Sequence, residues 1–548
     1  MMRATAVAVL LAGFVGCSGT EGTAGDLPPV LELTSPERGT FAEGDQVTVS
    51  GRVQDDSASV AVTINGTEVT VNADGTFQTT LAVRPGMEMI ETHAIDSAGH
   101  DVRDVRAVLA GTLAPSDGSL AAPIGARLGV DAFRTVGRAI GDTAEGIDFT
   151  AVALAMNPVY NNDGCLGAKI DITSVDVGQI DVGLTPKAGA VATAVAIHDV
   201  TVRLRANFKV ACVGGSTNIT VRSTKARING NLGVTTSSGK LATSLSGTTV
   251  ALDGFSVDVG GVPGAIESLL KGEARKAAEN ALKDAIQDSV PPMANDALGG
   301  LVARPYTAAI LGHDTRVTVS PAEVALSTDG LFVALDTRLA VTGGEGGMFV
   351  SSPSPLSASL MPTDKLGIAL ADDAVNQLFS GLWAAGALEL TTSIDAIPAL
   401  SALLDDDARS LAVSALLPPT VTSDADGLEL AVGDLMVSVR DESDTEIQRL
   451  ALSVTTSLAA GPTQTGKIRL TVGTPTLKAQ VISQTDAVER PMTDEQIEGI
   501  ITGAWGLVGG LADDALANLP LPTIAGVTLG APTVEGADGY VVADIPLE

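Results

Sequence analysis

Positive charge, aromatic residues and cysteine are all scarce in this chain of 548 residues. Lys and Arg number 33 against 65 Asp and Glu, a formal charge of −32. So acidic a surface repels a phosphate backbone, which sets nucleic acid aside as a partner. Aromatics make up 3% although hydrophobic residues make up 45%, so the interior must be built of Ala, Val, Leu and Ile. Chemical signatures are missing too. No G-x-S-x-G, H-E-x-x-H, Walker or C-x-x-C pattern occurs. His93, His100, His198 and His313 fall in separate stretches without metal-ligand spacing, and Asp405-Asp406-Asp407 lacks the further ligands of a calcium loop. The expectation is a protein that is not an enzyme and holds neither metal nor cofactor.

No apolar run is long enough to cross a bilayer. What stands at the start is shorter: Arg3, then an uncharged apolar run from Ala4 to Gly16 that reads as a secretory signal. It ends Phe14-Val15-Gly16-Cys17, which resembles a bacterial lipobox with Cys17 as the lipidated residue, although Phe14 is less usual there than Leu. Ser18 in place of Asp favours outer-membrane sorting by the same resemblance. The expected location is therefore an acyl-anchored outer-membrane lipoprotein. Cys165 and Cys212 remain, an even number in an oxidising compartment, which favours one disulfide; two buried thiols are the alternative.

The length points to about three domains. Residues 18–29 are a small, polar, Pro/Gly-rich tether. Residues 30–111 alternate as strands around Asn65-Gly66, the strongest short hairpin signal. Their strand spacing and the ending Ala94-Ile-Asp-Ser-Ala-Gly99 resemble bacterial Ig-like domains. A second linker is expected over 112–123. The rest repeats one plan twice: a short helix, a long run of strands, a long helix. In the first copy Val130, Phe133, Val136 and Ile140 mark the short helix, and strands are expected from Phe149 to about Val259. A long stripe then runs through Ile266, Leu269, Leu270, Leu282 and Ile286 with alanines between, until Pro291-Pro292 stops it. In the second copy Asp372 caps a helix with the apolar face Val375, Leu378, Phe379, Leu382 and Trp383. Thr493-Asp-Glu-Gln496 has the form of a capping box ahead of Ile497, Ile500 and Ile501. That last helix runs into Leu519-Pro-Leu-Pro522, whose prolines force an extended path and let the final strands return to the sheet. Ser351 to Pro362 reads as a flexible or extended connector.

Lys365 to Leu390, KLGIALADDAVNQLFSGLWAAGALEL, resembles the opening of the C-terminal barrel in the bactericidal/permeability-increasing protein and lipopolysaccharide-binding protein family. Leu519-Pro-Leu-Pro522 with the apolar strand after it is similar to that family's closing segment. The likeness covers roughly 120–548 and points to the wider TULIP superfamily of tubular lipid-binding proteins. It implies an α+β chain: two barrels, each a twisted antiparallel sheet around a long helix (124–310 and 365–548), joined by a central sheet and connector (311–364), behind an all-β Ig-like sandwich (30–111). It also implies a disulfide in the first barrel, which supports pairing Cys165 with Cys212, and apolar pockets for phospholipid or another acyl-chain lipid. The candidate lining is the stripe residues named above: Ile266, Leu269, Leu270, Leu282 and Ile286; Val375, Leu378, Phe379 and Leu382; Ile497, Ile500 and Ile501. Two functions remain in view: lipid binding in hollow barrels, and surface adhesion or scaffolding with barrels packed solid. One departure from the family is charge. The basic stretch Arg203, Arg205 and Lys209, with Arg222, Lys225 and Arg227 after it, either meets anionic head groups or is an ordinary solvated face.

Overall fold

The computed structural model describes residues 27–547 except 57–58, 166, 211, 238, 262–263, 300–304, 397–406, 425–426, 463–467, 487, 489–490, 500 and 503–526. The signal segment with Cys17 and the Leu519-Pro-Leu-Pro522 hinge lie outside them. The fold is mostly β, 58% strand against 17% helix, so the helices are inserts on a strand framework. The chain divides into two compact units: residues 1–37, 47–81 and 90–106, and residues 38–46, 82–89 and 107–548.

In the first unit Val30–Ser35, Gln46–Gln54 and Thr76–Ala82 form one sheet, in that order with Gln46–Gln54 central. Val60–Ile64 pairs antiparallel with Thr67–Val69 and with Gly86–Asp96. Asn65 and Gly66 both take positive φ, 48° and 76°, as the sequence expectation of a tight hairpin requires. Val47, Val49 and Val53 alternate inward with Val62, Ile64 and Phe77, the period of two that builds a one-sided apolar layer.

The second unit contains two curled half-barrel sheets and a central sheet. In the first curled sheet two long antiparallel strands, Ala190–Val210 and Val213–Ser237, run side by side from Val191↔Leu232 to Val210↔Val213. Ala168–Asp176 flanks the later half of Ala190–Val210, and Ile180–Lys187 flanks the earlier half. Lys240–Asp253 and Ser256–Val259 divide the other side of Val213–Ser237 in the same way. The second curled sheet repeats every pairing. Its long strands are Gly427–Arg440 and Glu446–Pro462. Ser410–Ala415 and Thr420–Asp424 share the outer side of one; Ile468–Val472 and Thr476–Gln484 share that of the other. The repeat read from the sequence is thus a repeat of register.

The central sheet takes strands from both copies, in the order Tyr306–Ile310, His313–Ser327, Gly330–Val341, Ser119–Leu128, Leu366–Ala371, Tyr540–Ile545, Thr533–Ala537. The last two strands return to this sheet as expected, and Gly530 N–H donates to Pro546 O at 2.8 Å.

Helices α1 (Val130–Ala144), α2 (Phe149–Leu154), α3 (Gly264–Gly299) and α4 (Asp372–Ala384) are set among these strands. They correct several expectations. The supposed linker 112–123 is largely strand, because Thr112–Pro115 pairs with Met348–Ser351 and the strand Ser119–Leu128 enters the central sheet. Phe149 opens a helix instead of a strand, since the Asp148 carboxylate accepts from Ala151 N–H at 3.0 Å and caps it. α3 runs past Pro291-Pro292. Beyond the pair it is fastened to the sheet: Thr243 donates its hydroxyl to Pro291 O and its N–H to Asn295 Oδ1, both at 2.9 Å. Packing of this kind outweighs the two helical bonds that the prolines cannot make. The connector is pinned as well, with Arg127 donating to Ala358 O and Met361 O.

α4 departs furthest from its amphipathic reading. Asp372, Asp373, Asn376, Gln377 and Ser380 are the buried residues, together with Gly381 and Leu382, whereas Val375, Leu378 and Phe379 are half-buried. Asp372 does not cap the helix; its carboxylate accepts from Ser423 N–H at 3.0 Å. Asn376 exchanges two bonds with the Val421 backbone, at 2.7 and 2.9 Å. Gln377 donates to Gly118 O, and Ser380 donates to Met348 O. The buried face of α4 is therefore polar because it replaces strand partners that the surrounding backbone lacks.

Candidate functional site: an apolar cavity under the first curled sheet

The site begins with two glycines. Gly137 and Gly141 lie one turn apart on α1. A Cβ at Gly137 would sit 2.5 Å from Val182 O, and one at Gly141 2.7 Å from Ile180 O. Glycine alone lets α1 lie flat on Ile180–Lys187 at this distance. The start of α1 is held by the connector, where Gly129, Val130 and Ala132 N–H donate to Lys365, Thr363 and Asp364 O. These bonds satisfy the donors that a first helical turn leaves free.

With α1 so placed, Phe133, Val136, Ile140 and Ala144 face a cavity. Ile180, Val182 and Leu184 close it from one strand, and Val191, Thr193, Val195 and Ile197 from the next. Each set steps by two residues, so each is one face of its strand. α3 supplies Ala285, Ile286, Val290, Met293 and Ala294, on both sides of the proline pair, and the central sheet adds Leu128 and Leu331. Thr193 is the one polar side chain in the lining; it is 4% exposed, and its hydroxyl donates to Val191 O at 3.5 Å. The room for the centre of a water-sized sphere is about 70 Å³, within about 920 Å³ of atom-free space that includes the open mouth.

A smaller cavity of about 20 Å³ lies beside Phe149, Val152, Ala153 and Met156, with Ala278, Ala281, Leu282 and Ala285 of α3 opposite. The alanine stripe of α3 is what leaves this space: at the same positions larger side chains would fill it.

The expected lining residues divide among three fates. Ile286 borders the larger cavity and Leu282 the smaller. Leu270 is fully buried in the same core but borders neither, and Ile266 and Leu269 lie on α3 with side chains outside the described set. Val375, Leu378, Phe379 and Leu382 border neither cavity; Leu382 packs with Leu339 and Val341. Ile497 is buried against Leu450, Leu452 and Ala479, with Ile501 beside it, and Ile500 lies outside the described residues. The helix that carries Ile497 does start with the expected capping box: Thr493 N–H donates to Gln496 Oε1 at 2.9 Å, and Gln496 N–H to Thr493 Oγ1 at 3.3 Å. Most of the actual lining comes from α1 and strand faces. Its signal was the pair of glycines four residues apart opposite an alternating run.

Cys165 and Cys212 form a disulfide beside the turn between the two long strands, with Cα atoms 4.3 Å apart. Val202, Leu204 and Ala206 point inward, and Arg203, Arg205 and Lys209 are exposed, as alternation requires. Arg203 pairs with Asp176, and Arg227 with Asp253 at 2.7 Å. Among the described residues no helix is long and apolar enough to cross a membrane, and no group of three His, Cys, Asp or Glu could hold a metal.

Comparisons with known proteins give a partial match. Residues 29–111 match the family model of glucodextranase, domain B. No curated protein matches the chain. Among solved structures, a lipopolysaccharide binding protein is 14% identical over 78% of this chain and 99% of its own, with a TM-score of 0.44. Latherin in solution is 12% identical over 28% of this chain and 76% of its own, TM-score 0.18. A tetra-tandem repeat from the extending region of a large adhesion protein is 13% identical over 84% of this chain and all of its own, TM-score 0.14. Likeness at this level decides neither fold nor function, which rest on the strand register and the cavity; what the comparisons do give is an N-terminal segment similar to a glucodextranase domain B.

Proposed function

We propose that the chain is a non-enzymatic lipid binder of the TULIP type, which holds an acyl chain of a phospholipid or similar lipid in the first curled sheet. One observation carries this reading: the cavity between α1, α3 and the concave sheet face has an almost wholly apolar lining. Such a lining favours the transfer of methylenes out of water, at about 0.8 kcal/mol each. As folded, its free room is about half that of the ~150 Å³ apolar cavity known to take up benzene. A longer tail enters by displacing half-buried side chains, of which Met293 is the most adaptable. The competing reading, surface adhesion or scaffolding with barrels packed solid, predicts no saturable uptake of an apolar ligand at this place.

Within the same proposal, Cys17 carries acyl chains that anchor the protein at the outer membrane. Native mass spectrometry of gently extracted protein tests the binding: the expected result is a mass increment matching an acyl lipid, and a protein that always flies bare overturns it. C17S tests the anchor separately and should move the protein from the membrane to the soluble fraction.

A further inference from the structure

We propose that Phe149, with Ala285, sets the length of acyl chain that the first curled sheet accepts; this rests on the lipid reading above. Phe149 and Ala285 are the two residues that border both the larger and the smaller cavity. The two spaces therefore meet at one aromatic ring from α2 and one methyl group from α3. The helix that carries the ring is held in place. It is capped by Asp148 and tied down at the next residue, where Thr150 Oγ1 donates to Val175 O and accepts from Val175 N–H, both at 3.0 Å. Beyond the ring the far wall stays small along α3, through Ala281 and Ala278, so space continues past the partition. A tail occupying the larger cavity ends against Phe149. Without the ring it would run on toward Met156 and Val202.

Each added methylene that finds apolar cover strengthens binding about fourfold, and one that finds none adds nothing. The test uses the full chain and a series of straight-chain saturated fatty alcohols displacing an apolar fluorescent probe. Wild-type affinity should climb about fourfold per methylene and then level off at a limiting length. F149A should move that limit to longer alcohols. A285F, which thickens the partition from the opposite wall, should move it to shorter ones. Melting curves followed by circular dichroism show that each variant is folded, and F149L replaces F149A if that variant is not. A limit unchanged in both variants, with wild type binding normally, overturns the partition while leaving the lipid reading intact. Wild type that binds neither probe nor alcohol overturns both.

Discussion

Asp199 and Asp434 occupy the same place in the two copies and live in opposite surroundings. Each sits where its long strand changes outer partner, and each takes positive φ, 51° and 47°. Aspartate tolerates this conformation better than most residues. In the first copy the bulge is at the surface: Asp199 is exposed, and neighbouring His198 reaches Asp181 at 2.9 Å. In the second copy Asp434 is fully buried. It binds Arg38 at 2.7 Å, Gly39 N–H at 3.1 Å and Ala107 N–H at 3.2 Å, all within the second unit. Its neighbour is Gly433 where the first copy has His198. A Cβ there would lie 2.3 Å from that of Ala107. One duplicated bulge is thus a solvated kink in one copy and, in the other, the anchor for residues 38–46 and the strand after Arg106.

The helices differ in the same sense. α1 gives apolar side chains to a cavity, and α4 gives polar side chains to backbone. The first copy has an apolar cavity and carries a disulfide. The second contains no cysteine and is knit to its surroundings by buried polar groups. Position in the repeat fixes the backbone, while what packs outside each copy decides which residues that backbone carries.

The sharpest way to break the comparison is to treat the two bulges alike. D434A leaves the Arg38 guanidinium without its buried carboxylate and should cost about 3–5 kcal/mol. D199A loses only an aspartate suited to positive φ, about 1 kcal/mol. Urea unfolding of both variants should show this gap; equal losses would mean that the burial of Asp434 has no energetic consequence. Next in size is the disulfide. It closes a 47-residue separation, worth about 4 kcal/mol in the chain-entropy description. Replacing both cysteines by serine should lower stability in urea by that order and should weaken the apolar binding attributed to the first copy.

Smaller is a pH effect confined to the second copy. Burial, with Asp373 adding to it, pushes the Asp372 carboxyl up from 3.8 to about 6, against the opposing pull of Ser423 N–H. Asp373 is raised too, again by burial. Between about pH 4 and 6 the folded chain keeps a proton on Asp372 that the unfolded chain has released. The contribution of Asp372 to stability is therefore fully present below that window and is lost as pH rises through it, by up to about 3 kcal/mol. D372N keeps an oxygen for Ser423 N–H and removes the titration. The difference between wild-type and D372N stability should grow from pH 4 to 7 in favour of the variant, and a constant difference would contradict the assignment.

Much of this architecture was legible in the sequence because it is local. The Asn65-Gly66 hairpin, the Thr493–Gln496 capping box and the inward alternation of Val202, Leu204 and Ala206 each need only neighbouring residues to act. The features that depart from local pattern depend on distant residues. The polar face of α4 is decided by unpaired backbone at Val421, Ser423 and Met348, and the continuation of α3 through two prolines by Thr243. The related bulges have an echo in sequence, Ala196-Ile-His-Asp199 against Ala431-Val-Gly-Asp434, but four residues mean little until the register aligns them. The share of the cavity wall that comes from α1 and the strand faces is hidden in the sequence for a similar reason. A helical stripe shows which residues are inside; whether they meet their neighbours or leave a gap depends on how closely a second element can approach, and that was fixed by Gly137 and Gly141.

Lipid binding requires the cavity of the first curled sheet to be accessible to apolar ligands. The most direct measurement is titration of the full chain and of A294F, which fills the larger cavity from α3, with an apolar fluorescent probe. Saturable binding by wild type at one probe per chain, weakened at least about tenfold in a folded A294F (about 1.4 kcal/mol or more), is the expected result. Wild type without saturable binding, or A294F binding as well as wild type, would contradict it.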